Sequence, residues 1–298
     1  MPPLDLGRIT VHPLIDAVPD PVAVTWSFPA VDAAEWASVT LPGLDPAGRF
    51  QPSLGVFLVT IGATRVLCDA GIGRGPNAYL GGLEGRLPAL LAAAGLTTDD
   101  VDAVVFTHLH MDHVGWASDG GAPVFGRARY FVPAADAVFF AAGAPGMGAH
   151  HAEAFEASIR PLIAAGRVTP LAGGAEILPG VTYRATPGHT PGHQAILFTA
   201  DGRTLAVCGD VFHAPAQVER PDWSHRADHD AARARISRRA FIDAAAREGW
   251  ILAAGHFRDG LQFGRIAAGS DRALWRPLAT DGHDGGPAAR AADLTTGG

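Results

Sequence analysis

Three histidines and one aspartate fall within six consecutive positions in the run Thr107-His108-Leu109-His110-Met111-Asp112-His113. Side chains alternate along extended chain, so His108 and His110, two apart, can point to one side as the backbone leaves a strand. Asp112 and His113 follow where a helix or tight turn would begin, and can face a second point a few ångströms away. This is a metal-site spacing, and one short loop can supply ligands to two ions. Further ligands stand after later apolar runs: His189 in Thr186-Pro187-Gly188-His189-Thr190-Pro191-Gly192-His193, Asp210 in Val207-Cys208-Gly209-Asp210, and His256 in Ala254-Gly255-His256. Each follows a glycine, which lets the backbone turn sharply and approach an ion. Any one of these would be an ordinary loop dipeptide; as a set they are specific.

The elements that must carry these residues can be read from the pattern. Gly55–Thr60 and Thr64–Asp69 are β-prone runs separated by Ile61-Gly62-Ala63, the signature of a hairpin. Asp102–Thr107 is a short continuous apolar run of the kind buried on both faces, and it leads straight into the histidine cluster. Helices are expected at 87–95, 133–142, 151–165 and 230–248, and strands at 181–186, 194–199 and 204–208. Strands mixed with helices along the whole length indicate a layered α/β or α+β domain. The first fifty residues, rich in proline and weakly periodic, read as an N-terminal arm or edge strands packed on the rest. One domain is expected over residues 1–279, and 280–298, with almost nothing to bury, as a disordered tail.

Composition excludes several classes of function. The 298 residues are 48% apolar and 18% charged, with net charge −7, and every basic residue is arginine. Without lysine there is no Walker-type phosphate lysine, Schiff base or lysine general base. An acidic chain without a basic run lacks the footprint of nucleic-acid binding. No apolar stretch reaches the length of a spanning helix, and the first residues show no targeting pattern, so no membrane partner and a cytoplasmic location are expected. Cys68 and Cys208 lie in apolar runs and read as reduced core thiols.

The ordered set Thr-His-Leu-His-Met-Asp-His, Thr-Pro-Gly-His-Thr-Pro-Gly-His, Gly-Asp and Gly-His, with the Leu67-Cys68-Asp69-Ala70-Gly71 turn, resembles the metallo-β-lactamase superfamily over about residues 55–260. The resemblance implies a four-layer αββα sandwich with a binuclear metal site at one edge. It also implies ligands: His108, His110 and His189 for the first metal, Asp112, His113 and His256 for the second, and Asp210 bridging. Asp210 stands where zinc β-lactamases generally carry Cys or Ser, and His110 where the di-iron redox members use Glu. Glyoxalase-II-like members need basic glutathione contacts, and transfer-RNA processing members a basic exosite, which this chain lacks. The pattern is most similar to N-acyl homoserine lactonases and methyl parathion hydrolases. In the lactonases a Tyr commonly stands three positions after the bridging Asp; here it is His213, which is closer to the parathion-hydrolase-like branch.

The implied chemistry is hydrolysis. Two divalent ions roughly 3.5–4 Å apart lower the pKa of a shared water from about 15.7 towards about 7, making a bridging hydroxide available to attack a polarised carbonyl or phosphoryl centre. Lactone or ester cleavage is the expected activity, with phosphotriester hydrolysis as the alternative and β-lactam or amide hydrolysis behind it. Asp112, Asp210 and His213 are the expected catalytic residues, with two readings open for His213: a hydrogen-bond donor to the substrate or leaving group, or a loop histidine bonded to backbone. Zn²⁺ is the expected metal, with Mn²⁺, Fe²⁺ or Co²⁺ compatible with the N/O ligands. A small-molecule substrate with an acyl chain or aryl group is expected, since Trp116, Phe139, Phe140, Met147 and Trp223 could wall a pocket, although core packing explains each as well. The apolar arm permits a homodimer. His193 reads as a support residue and Asp69 as a residue orienting a ligand histidine or capping its turn. Gly71–Gly75 reads as a turn, Arg233, Arg235, Arg238 and Arg239 as a solvated helix face, and His150, His151, His225 and His229 as loop residues.

Overall fold

A computed structural model of the chain describes residues 2–41, 44–144, 146–258, 260–269 and 271–278, so the expected tail at 280–298 lies outside the described residues. Two seven-stranded sheets form the body. The first runs Leu4–Asp5, Ile9–Ala17, Leu54–Ile61, Thr64–Cys68, Ala103–Val105, Arg129–Pro133 and Val168–Leu171 in spatial order. The second runs Glu176–Leu178, Val181–Ala185, Gln194–Ala200, Arg203–Val207, Ile251–Ala253, Phe263–Ala268 and Ala273–Pro277.

Alternation along the strands dictates the layers. Phe57 and Val59, Val66 and Cys68, and Ala103 and Val105 point inward to meet Ile196, Phe198, Leu205 and Val207 of the opposite sheet in the central core. The intervening Val56, Leu58, Leu67 and Val104 face outward, where Leu87, Leu91, Phe140 and Phe155 from helices cover them. Ala195, Ala206 and Cys208 likewise meet Phe241, Ile242 and Ala245 of the helix Ala231–Glu248. Helix, sheet, sheet and helix thus make the four-layer αββα sandwich expected from the sequence. Buried Tyr183 ties the sheets together through its hydroxyl, which donates to the carbonyls of Phe106 and Phe131 at 2.8 and 3.2 Å.

Two expectations need correction. Ile9–Ala17 is an interior strand, paired on one side with Leu54–Ile61 and on the other with Leu4–Asp5. Its alternation is hidden by a register shift between Ile15 and Ala17, which buries Asp16. The Asp16 carboxylate then accepts from the backbone N–H groups of Ile72, Arg86 and Leu87, satisfying free donors at the start of the helix Leu87–Ala93. The stretch expected as one helix at 151–165 is two, Ala149–Ser158 and Arg160–Ala164, divided before Pro161. Hence His150 and His151 are helical rather than loop residues. Among the described residues, no helix is long and apolar enough to cross a membrane. Cys68 and Cys208 are free and buried.

Strands Val181–Ala185, Arg203–Val207 and Ile251–Ala253 run in one direction, because the first two are each antiparallel to Gln194–Ala200 and the last two are parallel. Their C-terminal ends therefore open on one edge. The loop after Ala103–Val105 joins that edge, where the carbonyl of Thr107 accepts from Gln194 N–H at 2.8 Å. Four chain segments distant in sequence deliver their next residues to one place.

Candidate metal centre

The residues delivered are His108 to His113, His189, Asp210 and His256, and all are buried except Asp112, which is partly so. Asp112 and His113 ride the single-turn helix Met111–Val114. Asp210 follows Gly209, whose φ of 53° is left-handed and where a Cβ would come within 2.7 Å of His193 Nε2, so only glycine permits this turn.

Four overlapping donor groups form among the described residues: His108, His110, His189 and Asp210; Asp112, His113 and His256; Asp210, His213 and His256; and His189, His213 and Asp228; within each the ligand atoms lie within 4.8 Å of one another. His189 Nε2 is 2.9 Å from His110 Nδ1 and 3.0 Å from Asp210 Oδ2, while His108 Nε2 is 3.8 Å from that oxygen. His113 Nε2 and His256 Nε2 stand 3.2 and 3.1 Å from Asp210 Oδ1. They stand 3.7 and 3.9 Å from Asp112 Oδ2. Asp210 thus turns Oδ2 to His189 and Oδ1 to His113, while His256 Nε2 stands 3.1 Å from both oxygens.

These residues fit divalent metal. His108 Nε2, His113 Nε2 and Asp210 Oδ1 are buried polar atoms that make no well-formed hydrogen bond. Leaving such atoms unpaired is costly, and each of the three residues belongs to a group whose ligand atoms lie within 4.8 Å of one another. A nearly all-imidazole and carboxylate set suits Zn²⁺ and its neighbours in the first transition row.

Outer groups fix the rings. Asp69 Oδ2 accepts from His113 Nδ1 at 2.8 Å, the Ser53 carbonyl from His256 Nδ1 at 2.8 Å, and Asp228 Oδ1 from His189 Nδ1 at 3.0 Å. Each leaves Nε2 to face the centre. His193 accepts from Asp210 N–H at Nε2 and donates from Nδ1 to Thr186 Oγ1, both at 2.8 Å, so it supports the loop rather than joining the donor groups. Burial pushes its pKa down to about 3, consistent with a neutral ring.

Electrostatics follow burial and neighbours. Burial, aided by adjacent imidazoles, holds His108 and His110 well below their usual range. Burial opposes protonation of His189 as well, but Asp210 and Asp228 outweigh it and lift the ring to about 9. At Asp210 burial favours the neutral acid, and the surrounding imidazoles, His256 and His113 foremost, overcome it and hold the carboxyl well below its usual range.

His213 lies in the same cluster. Its Nε2 is 3.2 Å from Asp210 Oδ2, and its ring is stacked between His225, centroid 3.8 Å away, and His256, 5.2 Å away. Burial pushes it down to about 4. A cavity of about 710 Å³ opens over the centre. Val22, Trp26, Phe50, Leu54, Phe139 and Met147 give it an apolar wall. Trp116 instead packs in the outer core with Phe140, and Trp223 stacks on Trp36 at 5.0 Å.

Sequence reading missed Asp228, Arg238, His151 and His225. His151 stacks on His110 at 3.8 Å, and His225 lines the cavity. Arg238, expected on a solvated face, is 1% exposed. Its signal was present: Ala234, Arg238, Phe241, Ile242 and Ala245 share one stripe at helical spacing, and all are buried.

The model of the Metallo-beta-lactamase superfamily matches residues 56–256. An N-acyl homoserine lactonase of Bacillus sp is 30% identical over 118 residues, which is 40% of this chain and 41% of that protein. The match thus spans about two fifths of that curated relative. The hydrolase AbOPH in the beta lactamase superfamily superposes with TM-score 0.82 and 25% identity, over 93% of this chain and 97% of the other. AidC, a dizinc quorum-quenching lactonase, superposes with TM-score 0.77 and 19% identity, over 93% and 97%.

Proposed function

The chain belongs to the metallo-β-lactamase superfamily, and from that premise we propose that it is a binuclear metal-dependent hydrolase that opens lactones or cleaves esters, in the manner of the N-acyl homoserine lactonases. The observation that carries the proposal is the central place of Asp210, with Oδ2 3.0 Å from His189 Nε2, Oδ1 3.2 Å from His113 Nε2, and His256 Nε2 3.1 Å from both oxygens. One carboxylate so placed can bridge two ions. The lactonase relative supports the lactone class.

His108, His110 and His189 would hold one ion, Asp112, His113 and His256 the other, and Asp210 both; Zn²⁺ is the metal we propose. Bound there, two such ions would supply Lewis acidity and water acidified enough to attack at neutral pH. The protein contributes the remainder. The apolar wall seats an acyl chain or aryl group, orients it over the centre and excludes water. His213, neutral at pH 7, carries one N–H beside Asp210 and donates it to the carbonyl or leaving oxygen. Asp112 and Asp210 would supply the carboxylate charge that balances the two ions. The free buried thiols fit a reducing compartment, and we place the protein in the cytoplasm.

The test is proton release near neutral pH from zinc-loaded protein offered a long-chain acyl homoserine lactone, an aryl ester and a phosphotriester, with Asp210→Asn as control. Asp210-dependent turnover of the lactone is expected. Preference for the phosphotriester would move the protein to the parathion-hydrolase type, and amide turnover without ester turnover to the β-lactam type. Silence on all substrates from protein holding two metals would refute the substrate class.

A further inference from the structure

We propose that Arg238 and Asp228 form a positioning pair that sets His189 as a ligand and locks the adjoining cavity wall to it. The inference rests on the metal-centre reading above. Arg238 projects from the helix Ala231–Glu248 into the protein and has no solvent around it. Its Nε donates to the Val211 carbonyl at 2.7 Å, and Nη1 to those of Pro221 and Trp223 at 2.9 and 3.1 Å. Nη2 reaches Asp228 Oδ2 at 3.4 Å. Val211 directly follows Asp210, and Pro221 and Trp223 open the segment whose residues 225–229 line the cavity.

Three carbonyls satisfy donors but do not neutralise a guanidinium, and an unpaired buried charge is costly. Asp228, whose side chain is 0% exposed, supplies the countercharge. Its other oxygen accepts from His189 Nδ1 at 3.0 Å, so the carboxylate is shared between guanidinium and imidazole. That bond fixes the His189 tautomer and aims Nε2 at His110 and Asp210. The same segment is stitched to the His189 loop by main chain. His229 N–H donates to the His189 carbonyl at 3.1 Å, and Asp230 N–H to that of Gly188 at 2.8 Å. One planar, permanently charged fork therefore holds the Asp210 loop, the cavity wall and a ligand histidine in register. A lysine, a point charge on a flexible stem, cannot span these four acceptors.

The experiment compares wild type, Arg238→Met, Arg238→Lys, Asp228→Asn and the Arg238→Met/Asp228→Asn double variant as full chains. Zn²⁺ is titrated against a chromophoric chelator, and the visible spectrum of the Co²⁺-loaded protein is recorded. Arg238→Met and Asp228→Asn should each weaken retention of one ion about 10- to 100-fold and change the Co²⁺ spectrum. The double variant should lose no more than the worse single, because the two residues act in series. Wild-type retention in folded Arg238→Met, or losses that multiply in the double, would overturn the pair. If Arg238→Met does not fold, Arg238→Lys decides: weakened zinc retention supports the proposal, and wild-type retention overturns it. Wild type that binds no zinc would overturn the metal reading itself, whereas wild type holding two ions beside unaffected variants would overturn only the pair.

Discussion

Asp69 Oδ2 lies 2.8 Å from Nδ1 of His113, and Asp69 itself sits in the left-handed region at φ 66°. The same carboxylate accepts the backbone N–H of Thr107 at 2.7 Å and its hydroxyl at 2.9 Å. The residue that sets the tautomer of His113 thus also anchors the start of the histidine loop. Asn tolerates the left-handed region and retains one acceptor, whereas Ala has neither advantage. Asp69→Asn should fold and hold zinc about 10- to 100-fold more weakly. Asp69→Ala should lose in addition about 1–3 kcal/mol of stability. Chelator competition and thermal unfolding of the two variants measure the difference.

His213 supplies a second prediction. If it donates to the substrate, His213→Ala should keep two zinc ions per chain while kcat/KM falls about 10- to 100-fold, the range for one hydrogen bond in the transition state. Because burial holds the ring at about 4, it stays neutral from pH 6 to 8, and the ratio of variant to wild type should be flat there. Full kcat/KM in a doubly loaded variant would remove His213 from the chemistry.

Gly188 has φ 136°, and a Cβ there would come within 2.1 Å of the Ala234 nitrogen in the first turn of the helix Ala231–Glu248. That backbone atom cannot move aside cheaply. Gly188→Ala should cost about 2–4 kcal/mol and displace His189. A fall in melting temperature together with a loss of bound zinc would be the joint signature; a fall in neither would contradict the close packing.

Asp136 gives the pH dependence. It is fully buried and accepts from Leu109 N–H, Thr190 Oγ1 and Gly192 N–H. Burial nevertheless outweighs these bonds and pushes its pKa up to about 6. Between about pH 4 and 6 the folded protein therefore keeps a proton that the unfolded chain releases. The stabilisation is fully present below the unfolded value and is lost as pH rises through about 6. Asp136→Asn cannot titrate. The stability of wild type relative to this variant should therefore fall from pH 4 to pH 7 by on the order of 3 kcal/mol. Urea titrations across that range test the sign.

The donor groups were legible in the sequence because ligation needs side chains at strand ends, and strand ends are marked by apolar runs followed by glycine. His108, His110, Asp112 and His113 are contiguous, and His189, Asp210 and His256 each follow such a run. The four layers were legible because Val56, Phe57, Leu58 and Val59 alternate between cores. Ile9–Ala17 was obscured because its register shift breaks that alternation. Arg238 was obscured because charge, taken residue by residue, argues for solvent. Its place on the apolar stripe of its helix reveals that it points inward, where Asp228 meets it.

The match to the superfamily begins at residue 56, yet Asp20, Val22, Trp26, Phe50 and Leu54 already line the cavity. Ser53 joins this wall to the centre, its carbonyl accepting from His256 and its hydroxyl donating to the Gly255 carbonyl at 2.6 Å. The molecule has a two-part build: the matched frame holds the donor groups, and a stretch of chain before it shares the cavity wall with Phe139, Met147 and residues 225–229. Under the proposed function, substitutions at Val22 and Trp26 on this wall would change what the cavity admits while the donor groups stay in place.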